Sequence, residues 1–203
     1  MPLFKKKTLI LTLLPLFLFG LAACKKEDNT DRYIDHLLKE YVVFKKGSYW
    51  IYRNETTASN DCTYVTRDPN SGVGNGSTLE EIYYTFSGNL FYDIYLWKGS
   101  DYSVCAYDFH NPNGNYFRAL NSMYTNGTSS APFPDCILVE RLDTLYVNSQ
   151  FFTNVIHTQS TNLIYDNMHN EAWFVKNIGM IMYRKKSNTF DSTWSILRWH
   201  AVQ

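Results

Sequence analysis

Apolar and polar positions along this chain fall into three successive regimes. Residues 9–19 are almost wholly apolar and follow the cluster Lys5-Lys6-Lys7. Residues 31–43 repeat apolar side chains at helical spacing, with Ile34, Leu37, Leu38 and Tyr41 sharing a side. That spacing predicts a short helix over 31–43 with Asp31 as its cap. Beyond Gly47 the period drops to two. Short runs rich in aromatic residues recur near 48–53, 62–67, 80–86, 90–97, 102–109, 136–142, 151–159, 172–176, 180–185 and 193–201. Turn signals separate several of them, among them Asp68-Pro69-Asn70-Ser71-Gly72, Ser87-Gly88-Asn89, Asn111-Pro112-Asn113-Gly114 and Asn126-Gly127. About ten short strands at this spacing predict a mainly β fold: one curved antiparallel sheet, a half-barrel or open barrel, with one short N-terminal helix. In the last run the alternation sets Trp194, Ile196 and Arg198 on one face, and Leu197, Trp199 and Ala201 on the other. The stretches 68–78 and 121–135 are read as long loops.

The first regime is a processing segment rather than part of the fold. A basic cluster, an apolar run of about a dozen residues and small residues before a cut site form the layout of a secretory signal. The run is shorter than the roughly 20 residues a helix needs to span a bilayer. Leu21-Ala22-Ala23-Cys24 resembles a bacterial lipobox, which implies that Cys24 is diacylated and becomes the first residue of the mature protein. Each buried methylene of such chains contributes roughly 0.8 kcal/mol, so two or three chains hold a protein to a membrane. Next comes Lys25-Lys26-Glu27-Asp28, similar to the export signal of Bacteroidetes-type surface lipoproteins. The resemblance implies an outer-membrane address on the cell surface, with the periplasmic face as the other reading. The chain thus divides into a leader over 1–23, a polar tether over 24–30 and a single β-rich domain over 31–203.

Removing the leader takes 23 of 203 residues and leaves 180, enough for one domain with a proper core. It also removes three of 19 basic residues, leaving 16 against 19 acidic, a net charge of −3. An acidic balance of this kind argues against a nucleic-acid surface. Three cysteines remain besides the anchor, Cys62, Cys105 and Cys136. They contain no C-x-x-C pair and allow one disulfide in three ways. None of the five histidines falls in a metal-ligand spacing with another. Glu80 and Glu81, as strand neighbours, point to opposite faces and do not act together. No cofactor, metal or catalytic set is assigned, and an envelope- or glycan-active enzyme is the least favoured reading. Asp143-Thr144-Leu145 and Asp191-Ser192-Thr193 resemble the short sites at which Bacteroidetes attach O-glycans, which would modify Thr144 and Ser192.

Three segments carry a wider resemblance. Phe44-Lys45-Lys46-Gly47-Ser48-Tyr49-Trp50-Ile51-Tyr52-Arg53 resembles the opening of small Bacteroidetes envelope lipoproteins, residues 171–181 their late strand–turn–strand, and residues 191–198 their closing strand. Such proteins are similar to the lipoprotein-carrier half-barrel, a curved sheet wrapped around a helix with an apolar concave face. The likeness implies a fold and an envelope address but no catalytic residue. In it, Trp50 and Trp173 would fill a core. Aromatic residues make up 17% of the chain, with 16 tyrosines, and suit a pleated, half-buried surface. Trp50, Tyr52, Tyr84 and Trp97 are the candidate ligand-binding residues, provided that the concave face is left unfilled. The expected function is that of a lipid-anchored binding or accessory protein with a protein or glycan partner. The alternative is a carrier of a lipid or other apolar molecule.

Overall fold

Side-chain alternation is strict enough in most runs to build the sheet directly. The structure, a computed structural model, describes residues 32–73, 79–88, 90–91, 93–99, 102–108, 116–127, 136–162 and 168–203. The leader, Cys24 and the tether lie outside those residues. The chain divides into two units, 1–31 and 32–203, and the second holds the described fold.

That fold is mainly β, a curled antiparallel half-barrel. Its strands are β1 (Tyr49–Asn54), β2 (Asn60–Val65), β3 (Asn70–Val73), β4 (Glu80–Gly88), β5 (Asp93–Lys98), β6 (Ser103–Asp108), β7 (Tyr116–Asn121), β8 (Ile137–Val147), β9 (Gln150–Asn162), β10 (Met168–Val175), β11 (Gly179–Lys186) and β12 (Asp191–His200). They pair in the order β7-β6-β5-β4-β2-β1-β12-β11-β10-β9-β8, with β3 added beside β4. Chain ends meet in the middle, because the first strand pairs with the last: Tyr49 lies opposite His200 and Asn54 opposite Trp194. Inward positions form a continuous core: Trp50 and Tyr52 on β1, Ile82, Tyr84 and Phe86 on β4, Ile94 and Leu96 on β5, Tyr183 on β11.

Helix α1 (His36–Val42) is shorter than the expected 31–43. Asp35, not Asp31, is its cap, its carboxylate accepting from Leu37 N at 2.8 Å. Ile34 N, just before the cap, donates to Glu80 Oε2 at 2.7 Å. Leu38, Tyr41 and Val42 are buried. The last carbonyls of a helix lack partners within it. Here Glu40 O accepts from Asn177 N at 2.8 Å, and Val42 O accepts from the Tyr84 hydroxyl. Lys39 adds a two-pronged contact to Glu80 at 2.8 and 2.9 Å. The helix is thereby tied to β4 and to the β10–β11 turn.

Four expectations change. Part of the expected loop 68–78 is strand β3, which forms because β4 offers a free edge to Asn70–Val73. Strand β7 was not expected; Tyr116–Asn121 pairs with β6 across a bulge between Cys105 and Ala106. A four-residue helix α2 (Ser122–Thr125), capped by Asn121, occupies the start of the loop 121–135. In β12 the alternation breaks: a bulge opposite Ile51 and Tyr52 leaves Ile196 facing Tyr52 but Trp199 facing Trp50. Trp199 therefore changes sides and packs against the core, while Arg198 is exposed. The three described cysteines are free thiols, Cys62 exposed and Cys105 and Cys136 buried.

Backbones of β2 and β4 touch at Gly88, where an added Cβ would lie 2.9 Å from Thr63 Cα and against the Cys62 carbonyl. A Gly88→Ala variant is expected to unfold at lower urea, by about 1–3 kcal/mol of overpacking strain. An unchanged midpoint would mean that the two strands are not in contact there.

Candidate functional site

Alternation sends the candidate aromatics to two different places. Trp50, Tyr52 and Tyr84 point inward and are 3%, 2% and 3% exposed. Each polar tip is spent on a backbone carbonyl: Trp50 Nε1 donates to Ile178 O at 2.6 Å, Tyr52 to Met180 O at 2.7 Å, and Tyr84 to Val42 O. Burial pushes both tyrosine hydroxyls far above their ordinary pKa, so they remain protonated donors. Phe86, Phe91 and Tyr107 pack around them, with ring centroids 5.2–6.5 Å apart. What space is left there is about 10 Å³, bordered by Thr63, whose buried hydroxyl has no partner. That volume suits about one water. Trp97 stands apart from these three. It is half-buried on the opposite face of β5, with the Arg118 guanidinium 5.7 Å from its ring, near the exposed pair Tyr83–Tyr95.

A second arrangement lies on the face of β9–β12 that points away from the core. Cross-strand register lines up Glu140, His157, Trp173, Met182 and Ser195, and beside them Gln159, Glu171, Arg184 and Thr193. His157 stacks on Trp173 at 4.0 Å with 13° between the planes. Its Nδ1 lies 3.1 Å from Glu140 Oε1 and its Nε2 lies 3.2 Å from Glu171 Oε2. Arg184 continues the chain of charges. Its Nη1 is 3.6 Å from Glu171 Oε1, and its Nε and Nη2 donate to both oxygens of Asp191 at 2.8 and 2.6 Å. Such a two-pronged pair fixes orientation as well as charge. The Arg184 hydrogen bond holds the Asp191 carboxyl below the usual aspartate range, and the same bond raises Arg184.

Between these side chains an open groove of about 580 Å³ is lined by Glu171, Trp173, Met182, Arg184, Asp191 and Thr193. Trp173, 8% exposed, belongs to the buried core cluster as expected, and it also borders the groove, with His157 on one face of its indole. Two bulges shape this wall, one at Trp173 and Phe174 and one between Leu138 and Glu140. The β10–β11 turn is tight, with Asn177 and Gly179 at φ of 62° and 97°. A Cβ at Gly179 would come within 3.1 Å of the Phe44 ring.

Chemically the groove offers two carboxylates bridged by a guanidinium, a hydroxyl, a thioether and an indole edge. It suits recognition of a polar, hydroxyl-bearing or amide-bearing surface. Both His157 nitrogens face carboxylates, and Ser195 is buried against Glu55 and Asn148. Neither forms a nucleophile–base pair with the other. Among the described residues no three histidine, cysteine or acidic side chains converge on a metal position. Of the groove residues, the sequence marks Trp173 as core filling and Asp191 as part of a glycan-site motif; it assigns Glu171 and Arg184 no role, although both hold same-face positions on β10 and β11.

Compared with known protein families, characterised proteins and solved structures, the chain matches none.

Replacing Arg184 by Gln is expected to raise the Asp191 carboxyl back toward the ordinary range in a pH titration followed by NMR. The folded value lies below the unfolded one, so the contribution of the pair is complete above the ordinary aspartate pKa. It is lost as pH falls through the lowered value. An Asp191 midpoint that does not move in Arg184→Gln would contradict the two-pronged contact.

Proposed function

We propose that this protein is a lipid-anchored cell-envelope lipoprotein that binds a partner and performs no catalysis. Its anchor is a diacylated Cys24, and its address is the outer membrane, exposed at the cell surface. The observation that carries the binding reading is the filled interior. A carrier needs an apolar cavity of a few hundred Å³ or more, whereas the space among Trp50, Tyr52 and the rings around them is about 10 Å³. Recognition therefore belongs on the outside. The groove of β9–β12 is the best-formed candidate, with the exposed Tyr83–Tyr95 pair and Trp97 as a second aromatic surface. A protein or glycan segment fits the mixture of charge, hydroxyl and indole. An apolar molecule does not.

The test is made on the full chain produced in a bacterial host with lipoprotein processing, extracted from membranes in detergent. Mass spectrometry is expected to find a mature chain beginning at Cys24 with its acyl chains and no further lipid in stoichiometric amount. Cys24→Ala is expected to abolish acylation and cleavage together. A non-covalent lipid that survives purification at one per chain, and is lost in Trp50→Asp, would instead establish the carrier. An unacylated wild-type chain would refute the anchor.

A further inference from the structure

Strand β8 ends the strand order, and among the described strands its ladder runs to β9 alone. A terminal strand exposes a row of backbone donors and acceptors, which folded proteins either shield or use. The other end of the order is shielded: β7 is short and packs toward β9, where Thr158 Oγ1 donates to Ala119 O at 2.5 Å. β8 is eleven residues long and faces mostly solvent. Ile137, Val139 and Tyr146 on it are 38%, 45% and 58% exposed, and Phe151, its ring tilted against Tyr146 at 4.7 Å, is 77% exposed. Large apolar side chains along an open edge call for a partner.

The order of residues on this edge selects which partner. Counting outward from Leu142, Arg141 is matched by Asp143, Glu140 by Thr144, Val139 by Leu145, Leu138 by Tyr146 and Ile137 by Val147. Two copies of β8 laid antiparallel about Leu142 set Arg141 of each against Asp143 of the other. Glu140 of each then lies opposite Thr144 of the other, with the two Leu142 side chains paired at the centre. Neighbouring registers lose this match. A centre on Arg141 or on Asp143 sets like charge on like charge. A centre between Arg141 and Leu142 sets Glu140 against Asp143, and one between Leu142 and Asp143 sets Glu140 against Leu145. Charge pairing thus selects one register.

We propose that a second copy of this chain pairs with β8 through its own β8, antiparallel and centred on Leu142. The sheet then continues across a twofold axis, the self-complementary contact of a symmetric dimer. The bulge between Leu138 and Glu140 confines the regular ladder to residues 140–144. The two Arg141–Asp143 pairs therefore decide the association. Arg141 also donates to Tyr124 O through Nη2. A guanidinium has five donors, so others remain for the carboxylate.

Sedimentation velocity on the full chain in mild detergent tests the pairing. The wild type is expected to form a dimer whose fraction rises with concentration. Asp143→Arg, which sets Arg against Arg twice, is expected to weaken it about tenfold. Combining it with Arg141→Asp exchanges the charges and is expected to restore the dimer. Thr144→Lys leaves both of those residues in place and faces Glu140 of the other copy, so it is expected to tighten the dimer even if the double variant folds poorly. A wild type that stays monomeric at every concentration would overturn the proposal. So would a dimer indifferent to Asp143→Arg, or one loosened by Thr144→Lys.

Discussion

The curl of the sheet depends on a set of buried rings whose polar tips have nowhere to go but the backbone. Trp50, Tyr52 and Tyr84 each donate to a carbonyl on another element: the β10–β11 turn, β11 and the end of α1. An unpaired hydroxyl or indole N–H in this apolar interior would cost about 1–3 kcal/mol. The sheet has to bend until each finds its acceptor. Tyr183 obeys the same rule by donating to Asn170 Oδ1 at 2.7 Å. Because each acceptor lies far away in sequence, these contacts tie the first strand to the late hairpin and the helix to β4. They also consume the concave face. The space left among these rings is about 10 Å³.

The outer surface is ordered by the same pattern. The alternation that buries Ala172, Phe174 and Tyr183 turns Glu171 and Arg184 outward and sets Trp173 beneath His157. The polar row on β8–β12 is internally satisfied, from Glu140 through His157, Glu171 and Arg184 to Asp191. A surface prearranged in this way presents fixed donors and acceptors to a partner and loses little side-chain freedom on binding. The strand that carries Glu140 is also the open edge of the sheet. Groove and edge are accordingly adjacent features of one end of the half-barrel.

Much of the fold is legible from local pattern. Period-two runs locate ten strands, and the aromatic content follows from the need to fill a curved layer. Other features depend on partners distant in sequence. The helix begins at His36, where Asp35 caps it, and the residue before the cap is held by Glu80, 46 residues on, which accepts from Ile34 N. β3 is a strand only because β4 lies beside it, and its residues Asn70, Ser71 and Gly72 read as turn. The phase change in β12 arises from a bulge against β1. At the site, Trp50, Tyr52 and Tyr84 share the inner face as expected, whereas Trp97, expected with them, lies on the outer face because it alternates with the buried Leu96 on β5. Whether the shared face is hollow or filled is decided by Phe91, Tyr107 and Tyr183, which come from other strands. The Glu140–His157–Glu171 contact requires the register of three strands at once, which no local spacing contains.

The central claim is that the aromatic interior is closed and packed. Native-state hydrogen exchange of the Trp50 indole N–H, read by NMR, tests it most directly, since that proton is spent on Ile178 O inside the half-barrel. The account predicts exchange only through global unfolding, with a protection free energy equal to the stability measured in urea. Exchange close to the rate of a free indole would show an interior open to solvent, and would return the concave face to candidacy as a ligand site.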